Sequence, residues 1–264
     1  MDTISILGCG WLGFPLAEEL LKHHYKVKGS TTSPEKFDIL QKKGIQPCRI
    51  RLNPAFEGET VFLDSEVLII NIPPKAKTLG EEYHLQQIKN LLDECRKPSS
   101  LKKIIFVSST SVYPNIEKEM IESDADSEHF LVKAENLISD FCEIHNKAFV
   151  IIRFGGLMGY ERNPCKYFTE KTAGDGSRVN YIHRDDAVGA IMSLLHAKIS
   201  NETINIVCPE HPSRAEIWAK CKVHNDTQSR NSREVSKKII RADRFLEKTK
   251  YQFLFPDPLA FKYL

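Results

Sequence analysis

The chain has 264 residues, of which 41% are hydrophobic and 27% charged, and its formal net charge is +2. Both fractions are ordinary for a folded protein, so wholesale disorder is excluded, and the length suits one large domain or two interleaved lobes. Because 37 basic residues nearly balance 35 acidic ones, the charge does not indicate a nucleic-acid partner.

The chain shows no signal-peptide pattern and no stretch near the ~18 consecutive apolar residues of a membrane helix. We therefore expect a cytoplasmic protein with no membrane partner. The seven cysteines include no CxxC pair, and Cys221 with His224 is the only metal-like spacing. Since structural zinc needs four converging ligands, we expect reduced thiols and no metal site.

The first predicted elements are a strand, a glycine-rich turn, a helix and a second strand. Thr3–Leu7 alternates β-branched and apolar residues, and Leu12, Leu16 and Leu20 then follow at fourfold spacing. The second strand pattern begins at Lys26, about 15 residues on. This order of elements is the context that makes a GxGxxG string a credible dinucleotide-binding loop.

Each glycine of the loop has a separate expected role. Gly8 permits the tight turn, Gly10 has no Cβ to keep a pyrophosphate from the backbone, and Gly13 lets the helix lie close to the sheet. The helix N-terminus would face the phosphates. The predicted cofactor-binding loop consists of Gly8, Cys9, Gly10, Trp11, Leu12 and Gly13.

The end of the second strand bears on the choice of cofactor. NAD sites usually place a carboxylate there, about 20 residues after the glycines. Here no acid precedes Glu35, whereas Thr31, Thr32 and Lys36 could accept a 2′-phosphate. This favours NADP over NAD. The alternative is that the loop only caps the next helix and contacts no cofactor.

The alternation of strands and helices continues along the chain. It predicts a Rossmann-type α/β fold, a doubly wound parallel sheet with ligands at the carboxyl ends of its strands. Ile72, Pro73 and Ser108 lie at such ends and join the predicted cofactor-binding set. The predicted strands are Val67–Ile72, Lys103–Val107 and Phe149–Arg153, and the predicted helices are Tyr83–Cys95 and Asn136–His145.

The sequence also predicts two domains. Residues 1–155 would form the dinucleotide-binding domain, and residues 156–264 a smaller C-terminal α+β lobe that binds the substrate. We expect the segment 179–198 to pack back on the first domain.

Four motifs follow one another in a family-specific order: the glycine loop and residues 106–113, 153–159 and 180–186. With them the whole chain resembles the extended short-chain dehydrogenase/reductases (SDRs). Its GCGWLG string is similar to that of an atypical subgroup catalogued as NAD(P)-dependent epimerase/dehydratase-like. Residues 251–259 also resemble the closing motif of that subgroup. The resemblance implies an oxidoreductase, epimerase or dehydratase that acts on a sugar, a nucleotide sugar or another small hydroxy or carbonyl substrate.

Family chemistry implies a Ser or Thr, a Tyr and a Lys acting together on the substrate oxygen. Ser109 matches the family Ser/Thr position, with Thr110 as an adjacent substitute. Lys133 matches the Lys, but position 129 is His where Tyr is expected. His129 could exchange protons near neutral pH while Lys133 holds a ribose. The alternative is that both lie on a helix surface without a catalytic role.

Further candidates come from the later motifs. Tyr113, Arg153 and Arg162 are expected substrate contacts, and the two arginines suit an anionic substrate. The alternative for Arg153 is a pair with an acid beneath the sheet. Asp185 and Asp186 suit the N-cap and first turn of a helix, where carboxylates meet the positive end of its dipole.

A basic segment between Thr227 and Lys250 holds eight Lys or Arg residues and three acids. The resemblance implies a lobe that covers the substrate, in which arginines hold a diphosphate. The helical spacing of Ile239, Ile240 and Phe245 also fits an ordinary solvated helix face.

Two functions remain open at the level of sequence. The first is an NADP(H)-dependent enzyme with a small-molecule substrate. The second is a dinucleotide-binding protein without catalysis, which senses its cofactor or joins a partner, and the missing Tyr favours it. Many members of the resembled family pair two helices across a twofold axis, so a homodimer is also open.

Overall fold

The structure is a computed structural model that describes residues 2–97, 99–168, 176–222 and 237–261. The described chain divides into two compact units that are interleaved in sequence. The first consists of the described residues of Met1–Ser108, Ser127–Ile152 and Lys198–Thr203, and the second of those of Ser109–Asp126, Arg153–Ala197 and Ile204–Leu264. These interleaved ranges differ from the predicted division into two contiguous domains, residues 1–155 and residues 156–264. The packing of segment 179–198 on the first domain stays a prediction.

The strands follow the predicted alternation with helices. They are β1 (Thr3–Leu7), β2 (Lys26–Thr31), β3 (Gln46–Leu52), β4 (Phe56–Gly58), β5 (Val67–Ile70), β6 (Lys103–Ser109), β7 (Glu119–Met120), β8 (Ala148–Phe154), β9 (Gly156–Met158), β10 (Tyr181–His183), β11 (Glu202–Ile206) and β12 (Ile239–Ile240).

The helices are α1 (Gly13–Lys22), α2 (Pro34–Lys42), α3 (Ala76–Leu79), α4 (Glu81–Cys95), α5 (Phe130–Ile144), α6 (Arg184–His196), α7 (Arg214–Lys222) and α8 (Asp243–Thr249). Short 3-10 helices cover Thr60–Leu63, Thr110–Val112, Glu122–Asp124, Pro164–Tyr167 and Pro258–Ala260.

Within the described residues, eight strands form one sheet in the order β11-β8-β6-β5-β1-β2-β3-β4. β1 pairs in parallel with both β2 and β5, and β5 pairs in parallel with β6. The strand order therefore reverses between β1 and β5, the kind of point at which open α/β sheets bind ligands. The predicted Rossmann-type fold is confirmed. β3 and β4 pair antiparallel at the edge of the sheet.

The apolar patterns are buried as their spacing predicts. Leu16 and Leu20 of α1 are fully buried, and so are Ile4 and Ile6 of β1. A strand buried on both faces is typical of a parallel sheet covered by helices on each side.

Several predicted boundaries were wrong. β5 ends at Ile70 and not at residue 72, and α5 begins at Phe130, before the predicted Asn136, because His129 supplies its N-terminal cap. Ile239 and Ile240 form a short strand paired with β7, so their helical spacing was misleading.

The expectation of reduced thiols holds for five cysteines but not for Cys165. Cys9, Cys48, Cys95, Cys142 and Cys208 are free and buried. Cys165 is disulfide-bonded. Sequence spacing could not reveal this, because a disulfide depends on which cysteines the fold brings together.

Candidate functional site

Gly8 opens the glycine loop of the first unit and is held by two polar side chains. Its N–H donates to Oγ of Ser30 over 2.8 Å, and its carbonyl oxygen accepts from Nδ2 of Asn71 over 3.0 Å. Its φ is +99°, and a Cβ there would lie 2.3 Å from the carbonyl oxygen of Asn71. The turn therefore requires glycine, and two neighbouring strands fix its peptide groups.

Gly13 and Gly10 differ in what surrounds them. A Cβ on Gly13 would lie 2.3 Å from the carbonyl oxygen of Gly8, so the start of α1 packs tightly on the loop. A Cβ on Gly10 would meet no atom within 4 Å. The space beside Gly10 is therefore open, and a pyrophosphate could approach the backbone there.

The N-terminus of α1 suits an anion. Leu12 stands at its N-cap and provides no side-chain hydrogen bond, and its first turn contains no acidic residue. The positive end of the helix dipole is thus not neutralised by a capping side chain or a first-turn carboxylate. Together with the open space at Gly10, this donor arrangement fits the pyrophosphate of a dinucleotide.

The other loop residues would contact a ligand mainly through their backbone. Cys9 and Leu12 are buried, and Trp11 is half-buried. The Cys9 thiol packs toward Gly29 of β2, and burial raises its pKa to about 12. The Cys9 N–H donates to the carbonyl oxygen of Ser30, which removes it from the free donors of the loop.

The end of β2 offers a cation and a hydroxyl to solvent. Thr32 and Lys36 are exposed, whereas Thr31 is buried and its Oγ1 accepts from the N–H of Ser33 over 3.1 Å. The positive charge of Lys36 acts to lower the pKa of Cys9, against the larger effect of burial.

The remaining predicted cofactor residues lie at strand ends. Ile72 is half-buried and Pro73 exposed just beyond β5. Ser108 is buried, and its Oγ donates to Oε1 of Glu135 over 2.5 Å. Glu135 is itself only 2% exposed, so this hydroxyl holds a buried carboxylate of α5.

His129 and Lys133 do not form the pair that Tyr and Lys form in the resembled family. His129 is the N-cap of α5, and its Nδ1 accepts from the N–H of Leu131 over 3.2 Å. Lys133 lies one turn later, is exposed, and forms a surface ion pair with Glu128 over 3.0 Å. The geometry supports the alternative of a helix-end His and a surface Lys.

Tyr113 and Arg153 belong to a buried polar network of the second unit. Nη1 of Arg153 donates to the Tyr113 hydroxyl over 3.0 Å and to the carbonyl oxygen of Glu122 over 2.7 Å. The Tyr113 hydroxyl donates to Oδ1 of Asn205 over 2.5 Å, and burial raises its pKa. Tyr113 and Arg153, 3% and 5% exposed, thus hold the network together and do not line the cavity described next.

The second unit contains a cavity of about 220 Å³ next to the end of β6. Hydroxyls, cations and aromatic rings share its lining, and no carboxylate is among the described residues that line it. The hydroxyls are Ser109, Thr110 and Ser111, the cations are Arg178, Arg214 and Lys238, and the rings include Tyr167, Phe168 and Tyr181.

Ser109 lines this cavity with a hydroxyl that can donate to a ligand. Its Oγ accepts from the N–H of Ser111 over 3.1 Å, which leaves its hydrogen available to an oxygen in the cavity. Arg178 and Arg214 make the cavity positive, so it suits an anionic molecule that carries a hydroxyl or carbonyl group. The third predicted substrate residue, Arg162, is exposed and does not line the cavity.

The acid pair at the start of α6 is structural. The N-cap is His183 and not Asp185, because His183 Nδ1 accepts from the Asp185 N–H over 3.3 Å. Fully buried Asp186 accepts from the N–H groups of Leu254 and Phe255 over 2.7 and 2.9 Å. These bonds fix the closing segment of the chain against α6.

Three of the six described basic residues of the segment 227–250, Lys237, Arg241 and Arg244, form ion pairs. Lys237 pairs with Glu117 over 2.9 Å, and Arg241 pairs with Asp243 over 3.0 Å. Lys238 instead lines the cavity. The predicted positions Arg230 and Arg233 lie outside the described residues, as do His224 and the Cys221 side chain.

Metal clusters and membrane spans are both absent from the described parts of the chain. In these ranges no three or more His, Cys, Asp or Glu side chains are grouped so as to hold a metal ion. Over the same ranges, no helix has both the length and the apolar character required to span a membrane.

Sequence comparison relates the chain to proteins of Escherichia coli, although no family model matches it. Protein YeeZ of Escherichia coli K12 is 31% identical over an alignment 274 positions long, gaps included, that covers 98% of each chain, and YeeZ of strain O157:H7 gives the same figures. The chain belongs to the YeeZ family.

Solved structures share the fold of this YeeZ-family chain at low identity. A putative NAD-dependent epimerase/dehydratase from Methylobacillus flagellatus is 20% identical, with a TM-score of 0.69 over 97% of this chain and 94% of its own. A UDP-glucose 4-epimerase from Thermus thermophilus, solved with NAD, is 16% identical, with a TM-score of 0.73 over 96% and 95%. At such identities the likeness shows the Rossmann-type fold.

Sequence reasoning missed Ser30, Asn71, Arg178 and Lys238 as site residues of this YeeZ-family protein. Asn71 stands inside the predicted strand Val67–Ile72, and a polar residue near the carboxyl end of an otherwise apolar run was the available signal. Arg178 and Lys238 come together only through the fold, so no spacing could have found them.

Proposed function

We propose that the chain is an NAD(P)-binding, SDR-like oxidoreductase, epimerase or dehydratase. The observation that carries the proposal is the glycine loop, with Gly8 held on both sides and open space at Gly10. The backbone donors at the start of α1 would hold the pyrophosphate, and the dinucleotide, when bound, would supply hydride transfer at its nicotinamide. The relatedness in fold to NAD-dependent epimerases supports this direction.

We propose NADP(H) as the preferred cofactor. No carboxylate precedes Glu35 in the stretch where NAD sites place one, and the exposed Thr32 and Lys36 could contact a 2′-phosphate. Glu35 accepts from the Ser33 hydroxyl, which acts to lower its pKa and favours its charged form. This carboxylate beside the same turn is the feature that would instead favour NAD.

The proposed substrate is a sugar, a nucleotide sugar or another small molecule that carries both an anionic group and a hydroxyl or carbonyl. The cations Arg178 and Arg214 support the anionic group, and Ser109 supports the reacting oxygen. A UDP-glucuronic acid 4-epimerase from Bacillus cereus, 18% identical with a TM-score of 0.73, was solved with UDP-glucuronic acid and NAD, so a related fold accommodates ligands of this class.

The second candidate is a dinucleotide-binding protein without turnover. The capping role of His129 and the surface ion pair of Lys133 favour it, because neither residue takes the position of a proton-exchanging pair. Both candidates require dinucleotide binding, and they differ only in chemistry.

Thermal unfolding with NADPH, NADH and no ligand tests the shared requirement. A ligand at 100 times its Kd adds about 2.7 kcal/mol, which raises Tm by roughly 5–10 °C in a chain of this size. We expect the larger rise with NADPH. Absence of any rise with both dinucleotides would refute the proposal.

A further inference from the structure

Lys238 differs from the other described basic residues of its segment. Lys237 and Arg241 point into surface ion pairs, whereas Lys238 is half-buried and lines the cavity that also contains Ser109 and Thr110. Its Nζ donates to the carbonyl oxygen of Tyr113 over 2.7 Å. Among the residues that the structure describes, no carboxylate lies within ion-pair distance of this nitrogen.

The contact with Tyr113 positions the nitrogen without fixing its protonation state. An ammonium and a neutral amine both carry N–H groups, so either form keeps the hydrogen bond to the carbonyl. The other N–H groups of the ammonium, or the lone pair of the neutral amine, are left to interact with a ligand. Burial also lowers the pKa of Lys238, which brings the neutral form closer to physiological pH.

The other groups in the cavity are less suited to exchange a proton. Arg178 and Arg214 keep their protons, and serine and threonine hydroxyls do not ionise near neutral pH. Two phenols compete, Tyr167 and Tyr181. Tyr167 is 47% exposed, and the ring of Tyr181 packs against Gly156.

We propose that Lys238 exchanges the substrate proton in this cavity, in place of the Tyr that position 129 lacks. This inference rests on the proposed function. In one direction an Nζ–H bond breaks, its electron pair stays on nitrogen, and an O–H bond forms on the substrate oxygen that Ser109 orients. The amine then regains a proton from water. In the other direction, neutral Nζ takes the hydroxyl proton and later releases it to water.

Competitive acylation measures the proton affinity of Lys238 directly and needs no substrate. Intact protein is treated with acetic anhydride across a pH range, and mass spectrometry follows modification at Lys238 and Lys237, each scaled to its own plateau at high pH. We expect modification at Lys238 to begin at a lower pH than modification at Lys237, because burial disfavours the charged form of Lys238. Equal midpoints would overturn the proposal.

Substitutions separate proton exchange from charge and packing. With UDP-glucose as the probe and nicotinamide reduction as the signal, we expect K238M and K238R to lose at least about 100-fold in rate. Arginine keeps the positive charge and the donor to Tyr113 but cannot release a proton. Wild-type rates in K238R, or a larger loss in Y181F than in K238M, would overturn the proposal.

The control is K237M, which removes only a surface pair and should keep the wild-type rate. Failure of dinucleotide binding would be seen separately, as absent NADPH stabilisation in the wild type and all variants. That result would remove the proposed function, whereas the acylation midpoints would still decide the proton affinity of Lys238.

Discussion

The side-chain amide of Asn71 donates a hydrogen bond of 3.0 Å from Nδ2 to the carbonyl oxygen of Gly8. The Asn71 backbone N–H also donates to the carbonyl oxygen of Leu7, over 2.8 Å. Asn71 directly follows β5, so both bonds connect the glycine loop to the neighbouring strand where the strand order reverses. The peptide after Gly8 is thereby held in one orientation before any ligand arrives, which lowers the entropic cost of binding.

Asn71→Ala should therefore destabilise the protein and weaken dinucleotide binding together. The Gly8 carbonyl oxygen would lose its side-chain donor but keep the Gly10 N–H, at a cost of about 0.5–1.5 kcal/mol in the free energy of unfolding. Urea unfolding and NADPH titration measure the two effects. The control is Asn136→Ala on the exposed surface of α5, which should change stability by no more than about 0.5 kcal/mol. An Asn71→Ala protein as stable as this control would contradict the assignment.

Alanine should destabilise the protein strongly at Gly8 and hardly at all at Gly10. Gly8→Ala places a Cβ 2.3 Å from the backbone carbonyl oxygen of Asn71, and the φ of +99° at Gly8 is unfavourable for alanine. We therefore expect a loss of at least about 2 kcal/mol in the free energy of unfolding. Gly10→Ala meets no atom within 4 Å and should fold with near wild-type stability. Denaturant unfolding of both variants makes the comparison. Equal destabilisation would show that the loop has another conformation.

Lys36→Met should weaken the binding of NADPH and leave that of NADH unchanged. An exposed lysine that contacts a 2′-phosphate contributes a charge-assisted hydrogen bond of about 1.5–3 kcal/mol, which is roughly ten- to a hundredfold in Kd. Lys42→Met, at the far end of the same helix α2, is the matched control and should bind both dinucleotides normally. Equal weakening of NADPH and NADH by Lys36→Met would argue against the NADP assignment.

His129→Ala should lose stability but not chemistry. Removal of the N-cap acceptor costs about 1 kcal/mol, and His129→Ser should recover most of it because serine is a good N-cap residue. Both variants should bind NADPH like the wild type and keep any turnover of UDP-glucose. If His129→Ser is as stable as the wild type yet loses turnover, His129 acts in proton exchange after all.

Buried His84 should make the protein less stable in mild acid. Its ring is 1% exposed, Nδ1 lies 3.3 Å from Oε1 of Gln87, and Nε2 has no hydrogen-bond partner among the residues that the structure describes. Burial lowers the pKa of His84, so the unfolded chain binds the proton more readily. Stability is therefore present above the unfolded pKa of about 6.5 and falls as pH drops through it, by up to about 1.4 kcal/mol per pH unit.

His84→Leu removes this term, so the stability of the wild type relative to the variant should fall steadily as the pH drops from about 7.5 to about 5.5. Urea unfolding at several pH values measures it. His145→Leu is the control, since His145 is exposed at the end of α5. Parallel pH profiles for the wild type and His84→Leu would contradict this account.

The fold was predictable because it depends on local periodicity. The fourfold spacing of Leu12, Leu16 and Leu20 and the apolar strands around it are properties of short segments, and these elements appear where their patterns indicated. The tight turn at Gly8 and the close helix contact at Gly13 were predictable for the same reason, because both depend on a backbone geometry that the flanking strand and helix impose.

The second-unit cavity was not predictable from local patterns. Ser109, Arg178 and Lys238 come from distant parts of the chain, and only the tertiary fold brings them to one cavity. The prediction of Tyr113 and Arg153 as substrate contacts relied on residue type. A buried guanidinium must satisfy its donors within the protein, and here the Tyr113 hydroxyl and a backbone carbonyl do so.

The central claim is that the glycine loop binds a nicotinamide dinucleotide, and calorimetric titration of the wild type and Gly10→Ala with NADPH and NADH tests it most directly. We predict that the wild type binds NADPH more tightly than NADH, and that Gly10→Ala loses at least about tenfold in affinity while it keeps the wild-type Tm. Wild-type protein that binds neither dinucleotide, or a Gly10→Ala variant that binds as tightly as the wild type, would contradict the account.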